Sequence, residues 1–177
     1  MKLFRVALAL LFALALPLPA RQSTPPPDAS ARQDAFLDKM TGHWLLTGTI
    51  AGKPVTHEVD ADWVLDREYI RLHETSRGKS PSGSPDYEAI VFLGWDPGAH
   101  EYTILWLDTT SGAGLNSPVI GRGKFSSDQI VFLFKSPGAD FHTTFAYDKS
   151  SDTWQWLMDG EENGKLSPFA RVKLSRK

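Results

Sequence analysis

Cysteine is absent from this chain of 177 residues. Without cysteine there is no disulfide, no thiol nucleophile and no thiolate metal ligand, and lipid cannot be attached at a cysteine. The formal net charge is only −2, because 19 lysine and arginine residues stand against 21 aspartate and glutamate residues. The basic residues are scattered except in the C-terminal tail, so we expect no nucleic-acid partner.

Common catalytic and metal-binding motifs are missing as well. There is no Gly-x-Ser-x-Gly, the nucleophile turn of many hydrolases. Gly78-Lys79-Ser80 is similar to the end of a phosphate-binding loop, but His73 stands where that loop needs its first glycine. No pair of histidines has the spacing of metal ligands on one strand or helix. The histidines are His43, His57, His73, His100 and His142. We therefore expect no metal and no cofactor, and the motifs identify no catalytic residue.

Residues 1–20 have the layout of a secretory signal peptide. Lys2 and Arg5 give a basic start, residues 6–16 form an apolar run, and Ala20 is a small residue suited to cleavage. The apolar run is shorter than the roughly 20 residues that a membrane-spanning helix needs. We expect an exported protein, periplasmic or secreted, with no stable membrane span. An uncleaved membrane anchor is the alternative.

A flexible linker and one domain are expected to follow. Residues 21–34 are mostly small or polar and include the consecutive prolines 25–27, which favour an extended polyproline II conformation. Residues 35–177 are then enough for a single domain with one core.

Periodicity in that domain predicts one short helix followed by strands only. Phe36, Leu37 and Met40 have helical spacing over residues 35–40. Beyond them apolar and polar residues alternate, and turn sequences such as Asp96-Pro97-Gly98 separate the runs. The predicted strands are residues 43–50, 56–65, 67–76, 87–95, 101–108, 118–125, 129–135, 140–147, 153–159 and 167–174.

Short strands without intervening helices predict an all-β fold. Antiparallel strands must hide their edges, and closing the sheet into a barrel does so completely. We predict an up-and-down antiparallel barrel of about ten strands, with the short helix closing one end. A sandwich is the alternative, because strand spacing alone does not separate the two.

Two motifs resemble those of known barrel families. Gly42-His43-Trp44, at the start of the first strand, resembles the Gly-x-Trp signature that opens lipocalins and other calycins. The second motif is similar to the Gly-Tyr-Asp…Tyr…Trp-x-Asp…Gly core of an often exported bacterial family of unknown function. It consists here of Gly94-Trp95-Asp96, Tyr102, Trp106, Asp108 and Gly112. Trp95 stands where that family has tyrosine, and the resemblance covers residues 36–174.

This resemblance implies a lipocalin-like or nitrobindin-like barrel with an internal cavity, and no established reaction. Nitrobindin-like proteins bind haem through a late histidine. This chain has no histidine beyond His142, so we expect no haem. The resemblance also implies that Trp44 packs at the barrel floor against an arginine of the last strand, for which Arg171 is the candidate.

Aromatic residues on later strands are candidates for a ligand site. Tyr102, Trp106 and Asp108 share one strand face, and would offer aromatic walls and a rim carboxylate to a mostly apolar ligand with one polar group. Trp154 and Trp156 share a face of a later strand. The alternative is that the aromatics fill a core and Asp108 bonds the next turn. A barrel of about ten strands is wider than one of about eight, which favours a cavity.

The strand over residues 67–76 leaves its inward face open. Ile70 and Leu72 lie on one face, and burial of apolar area favours placing them inside. The reverse arrangement would place Arg71 beside His73 in the interior, as a clamp for an anionic group of a ligand.

The sequence thus predicts an exported lipocalin-like barrel that binds a small, largely apolar or amphipathic molecule, and favours a binding protein over an enzyme. The candidate ligand-binding residues are Trp44, Arg71, His73, Tyr102, Trp106, Asp108, Trp154 and Trp156. One alternative is an isomerase or hydrolase without haem that uses the cavity, with His73, Arg71 or Asp108 as polar participants. Another is a packed barrel that binds a partner through loops such as residues 78–85.

Overall fold

Consecutive hairpins build almost the whole fold. The computed structural model describes residues 35–110 and 119–177, so the predicted signal peptide, the linker, Gly112 and Pro118 lie outside the described residues. Helical turns at residues 35–37 and Asp38–Met40 precede the strands. The strands are β1 (Gly42–Ile50), β2 (Lys53–Val64), β3 (Tyr69–Ser76), β4 (Glu88–Asp96), β5 (Glu101–Asp108), β6 (Ile120–Ser126), β7 (Gln129–Phe134), β8 (Asp140–Asp148), β9 (Thr153–Glu162) and β10 (Lys165–Arg176).

The strands form one closed antiparallel barrel in the order β1-β10-β9-β8-β7-β6-β5-β4-β3-β2. Each strand pairs with its neighbours in sequence, and β1 pairs with β10 at the seam, where Trp44 lies opposite Arg176. The predicted all-β up-and-down barrel with a short N-terminal helical segment is confirmed, and the sandwich alternative is wrong. No helix in the described part of the chain is long and apolar enough to cross a membrane.

The turn between β2 and β3 differs from the sequence prediction. Leu65 and Arg67 were predicted to lie in strands, but with Asp66 they form a turn in which φ is 51°, 65° and 55°, respectively. For residues other than glycine, φ angles in this left-handed region are incompatible with a β-strand. Arg67 donates a hydrogen bond to Asp38 at 2.7 Å, and its guanidinium lies 4.6 Å from the ring centroid of Trp63. These contacts hold the turn against the helical segment.

The helical segment plugs one end of the barrel, which we call the closed end. Phe36, Leu37 and Met40 are buried there. The Met40 carbonyl accepts a hydrogen bond of 2.6 Å from the Trp44 indole, and the Lys39 carbonyl accepts one of 3.3 Å from the Trp154 indole. The carbonyls at the end of the helical segment are thereby satisfied by side chains of the barrel.

The arginine that packs on Trp44 is Arg176, and the prediction of Arg171 is wrong. The Arg176 guanidinium lies 4.1 Å from the Trp44 ring centroid. Val172 is buried inside the barrel, and the alternation of β10 gives Arg176 the same inward direction, whereas Arg171 points outward. Gly42 makes room for this contact, because it has φ of 123° and an added Cβ would lie 2.7 Å from an Arg176 nitrogen.

A packed layer lies above the plug, in the middle of the barrel. Its inward-facing side chains are almost fully buried, which is the pattern expected where each strand presents alternate residues to the interior. They include Leu46, Val59, Ile70, Leu72, Val91, Leu93, Ile104, Ile130, Phe132, Phe145 and Trp156. The barrel is therefore packed at the helical end and across its middle.

Candidate functional site

The opposite end of the barrel, which we call the open end, holds a cavity of about 910 Å³. Its walls are largely apolar and include Ile50, Val55, Val119, Phe134, Phe141, Met158 and Phe169. Polar side chains also line it, among them His57, Glu74, Tyr87, Asp108 and Thr143. A concave apolar site of this size with a few converging polar groups is typical of small-molecule binding sites.

A buried histidine–carboxylate pair is the first polar feature of the cavity. His57 on β2 and Glu74 on β3 are 5% and 2% exposed, and Nδ1 of the imidazole lies 2.5 Å from Oε1 of the carboxylate. In the antiparallel register His57 pairs with Ser76, so Glu74 is its diagonal neighbour. Among the described residues, no hydrogen bond is made by Nε2 of His57. The carboxylate therefore fixes the orientation of the imidazole, which lines the cavity.

Tyr87 lies against this pair. Its ring stacks on the His57 imidazole, with centroids 5.6 Å apart and planes inclined by 23°. Burial of the phenol, and then the neighbouring charges of Glu74 and Asp108, raise the pKa of Tyr87 well above its ordinary value. The phenol is thus kept protonated and serves as a hydrogen-bond donor or as an aromatic wall.

Asp108 provides a second carboxylate at the end of β5. It accepts hydrogen bonds from the Trp106 indole at 3.1 Å and from the backbone and hydroxyl of Thr110, both at 2.7 Å. The bonds to Thr110 were expected under the interpretation that Asp108 caps the next turn. Asp108 and Trp106 nevertheless both line the cavity, so the carboxylate is held in a fixed position at the cavity wall.

Two buried polar atoms near the cavity have no hydrogen-bond partner within the described ranges, namely Oγ1 of Thr143 and Nε1 of Trp156. Both residues are 0% exposed. Thr143 lines the cavity, and Trp156 packs against Trp106 with ring centroids 5.1 Å apart. Buried polar groups are nearly always hydrogen-bonded, so an orphan hydroxyl in a cavity wall indicates a position for a bound water or ligand.

The structure brings only part of the predicted candidate set to the cavity. Trp106 and Asp108 line it directly. Trp156 is fully buried behind Trp106. Trp44 and Trp154 belong to the closed end, where their indoles bond the helical segment.

The remaining candidates lie away from the open-end cavity. Tyr102 is 1% exposed and packs on Trp95, with ring centroids 5.1 Å apart, towards the closed end. Arg71 and His73 are on the outer face of β3, because Ile70, Leu72 and Glu74 occupy the inner face. There Arg71 forms an ion pair with Asp62 at 2.9 Å, and Nε2 of His73 lies 2.6 Å from Oε1 of Glu88. The interior anion clamp formed by Arg71 and His73 is therefore not present.

The cavity residues that were missed as site candidates include His57, Glu74, Tyr87 and Thr143. A signal for the first two was available in the sequence. His57 shares a strand face with the apolar Val59 and Ala61. Glu74 shares a face with Leu72, so each polar residue occupies an inward position of its strand. A polar residue at a position that should be apolar is more informative than another aromatic residue at such a position.

The chemistry available in the cavity is that of hydrogen bonding and proton transfer. Within residues 35–110 and 119–177, no group of three or more histidine and acidic side chains could hold a metal ion. A buried imidazole, two carboxylates and a phenol are present, and they can position the polar end of a molecule whose remaining surface meets apolar walls.

The fold and the cavity together define a class of protein. The chain is a closed ten-stranded antiparallel barrel, an architecture consistent with a calycin-like fold and compatible with a lipocalin-like cavity. Neither a protein-family model nor a curated protein matches the chain. Its function must therefore be argued from the cavity itself.

Proposed function

We propose that this protein is an exported calycin-like barrel that binds a small, largely apolar molecule with one polar group in the open-end cavity. The observation that carries the proposal is the cavity of about 910 Å³ with apolar walls and a buried polar group of His57, Glu74 and Thr143. Oγ1 of Thr143 has no hydrogen-bond partner among the described residues, and burying a polar group without a partner is costly, so a ligand with a matching polar end would supply that partner. Export is supported by the signal-like residues 1–20.

The proposal is tested by native mass spectrometry of the protein isolated from its own host. We expect a copy that lacks residues 1–20 and carries a bound small molecule. Val55→Trp places a large ring in the cavity wall and should abolish the added mass. Val131→Trp makes the same change at a site 39% exposed on the outer face of β7 and should retain it. Equal retention by both variants would place the ligand elsewhere.

A second candidate is an enzyme that uses the same cavity, such as an isomerase or hydrolase. The specific observation in its favour is the contact of 2.5 Å between His57 and Glu74, because a carboxylate that orients an imidazole is a common arrangement for a general base. The bound molecule separates the two candidates, since a binding protein returns it unchanged and an enzyme converts it on prolonged incubation. The packed-barrel alternative finds no support, because the open end is not filled.

A further inference from the structure

The charges that line the cavity are mostly acidic. Glu74 on β3 and Asp108 at the end of β5 line the cavity, and Asp86 lies exposed at its mouth. The only lysine or arginine among the described lining residues is Lys53, which is exposed at the mouth. Residues 111–118, which lie outside the described part of the chain, contain no charged side chain. The inner part of the cavity therefore combines two carboxylates with one imidazole.

We infer that the cavity selects ligands whose polar end is a cation, such as a protonated amine on an apolar body, over ligands with a carboxylate. This inference rests on the proposed binding function and names the class of ligand. A buried anion beside Glu74 and Asp108 would be repelled and would find no guanidinium or ammonium group in the inner cavity. A cation there is attracted by both carboxylates.

The neutral part of the lining fits a cation as well. Tyr87 and Trp106 line the cavity together with the carboxylates, and aromatic rings attract ammonium groups through the ring quadrupole. Oγ1 of Thr143 is buried in the wall without a partner among the described residues, and its lone pairs can accept a hydrogen bond from an N–H group. This orphan hydroxyl points to a ligand independently of the acidic residues.

Three probes with one apolar body and different polar ends test the inference. They are 3-phenylpropylamine, 3-phenylpropanol and 3-phenylpropanoate, which are cationic, neutral and anionic near neutral pH. Titration calorimetry on the complete folded protein should give an affinity for the amine at least about tenfold higher than for the carboxylate, which corresponds to about 1.4 kcal/mol. The alcohol should lie between them.

Charge-removing variants locate the effect. Asp108→Asn should lower the amine-to-carboxylate affinity ratio by about fivefold or more, that is by about 1 kcal/mol. Asp66→Asn removes the same charge in the exposed turn at the closed end, where the positive φ of 55° suits asparagine, and should leave the ratio unchanged. If Asp108→Asn does not fold, Asp86→Asn at the exposed mouth should still lower the ratio, by a smaller factor.

The possible outcomes separate this inference from the proposed function. Binding of the carboxylate as tightly as the amine, or no binding of the amine, overturns the inference. An affinity ratio that is the same in the wild-type protein, Asp108→Asn and Asp86→Asn also overturns it. If the alcohol or the carboxylate binds and the amine does not, the binding function stands and only the ligand class is wrong. If none of the three probes binds and the protein from its host carries no small molecule, both fail.

Discussion

The two ends of this barrel are made from the same strands, but one end is filled with packed side chains and the other holds a cavity. At the closed end the indoles of Trp44 and Trp154 are buried and bond carbonyls of the helical segment. At the open end Trp106 is only half-buried and borders a cavity. Alternation of side chains is similar along each strand, so what differs is whether another element covers the end. A plug of a few residues is enough to turn one end into core and leave the other as a site.

The largest expected difference in stability between the two ends is that between substitutions of their tryptophans. Trp44→Ala should destabilise the protein by about 3–5 kcal/mol, because it removes a fully buried side chain from packed surroundings. Trp106→Ala should cost less than about 3 kcal/mol, because its ring borders the cavity and is only partly packed by other side chains. Urea unfolding of both variants measures the difference. Equal losses would contradict the view that only one end is packed.

A smaller effect is expected from the two arginines of β10. Arg176→Ala should cost about 2 kcal/mol, because it removes the stacking on Trp44 and the hydrogen bonds to the carbonyls of Thr41 and Lys39. Arg171→Ala removes an ion pair with Asp159 and hydrogen bonds to the carbonyls of Met158 and Ala170. These contacts lie on the outer surface, where the groups are partly exposed, so the loss should be at most about 1 kcal/mol. Thermal unfolding of the two variants gives the comparison, and a larger loss for Arg171→Ala would reverse our assignment.

The smallest effect concerns acid stability at the closed end. Hydroxyl groups of Ser151 and Ser150 and the Ser150 amide donate hydrogen bonds to Asp148, which lowers the pKa of its carboxyl to about 2 from its ordinary value of 3.8. Because the folded state prefers the ionised carboxyl, the resulting stabilisation is complete above the ordinary value and is lost as the pH falls through about 2.

The measurement for this effect is the unfolding free energy of Asp148→Asn and of the wild-type protein along an acid series. The wild-type advantage should be constant near neutral pH and should shrink as the pH approaches about 2. An advantage that does not change with pH would show that the hydrogen bonds do not depend on the charge. The contrast with the open end is one of sign, because there burial and the neighbouring carboxylates raise the pKa of Tyr87.

Local patterns were sufficient to predict the fold but only part of the site. Period-two alternation and turn sequences predicted every strand, because each strand pairs with its sequence neighbours and registers are set locally. The exception is the seam between β1 and β10, whose register depends on the whole barrel. The choice of Arg171 over Arg176 failed there, because the residue opposite Trp44 follows from the register of the seam, which pairs Trp44 with Arg176.

The failure to predict His57 and Glu74 as site residues has the same cause. His57 and Glu74 are each visible as inward polar residues, but their contact depends on a diagonal relation between β2 and β3 that follows from the register. The size of the cavity could not be predicted either, because it depends on how side chains from opposite walls fail to meet. The aromatic candidates are therefore divided between the packed core, the closed end and the cavity.

The seam also determines when the barrel can close during synthesis, because β1 and β10 are the first and last strands. β1 finds its second partner only in β10, and the amide of Lys177 donates a hydrogen bond of 3.0 Å to the His43 carbonyl at the end of that seam. During synthesis the free edge of β1 must wait until nearly all of the domain has been made. A chain that stops before β10 keeps two unpaired edges, and such edges are templates for aggregation. Pairing of the last strand is thus the step that closes the sheet and removes the two unpaired edges that could aggregate.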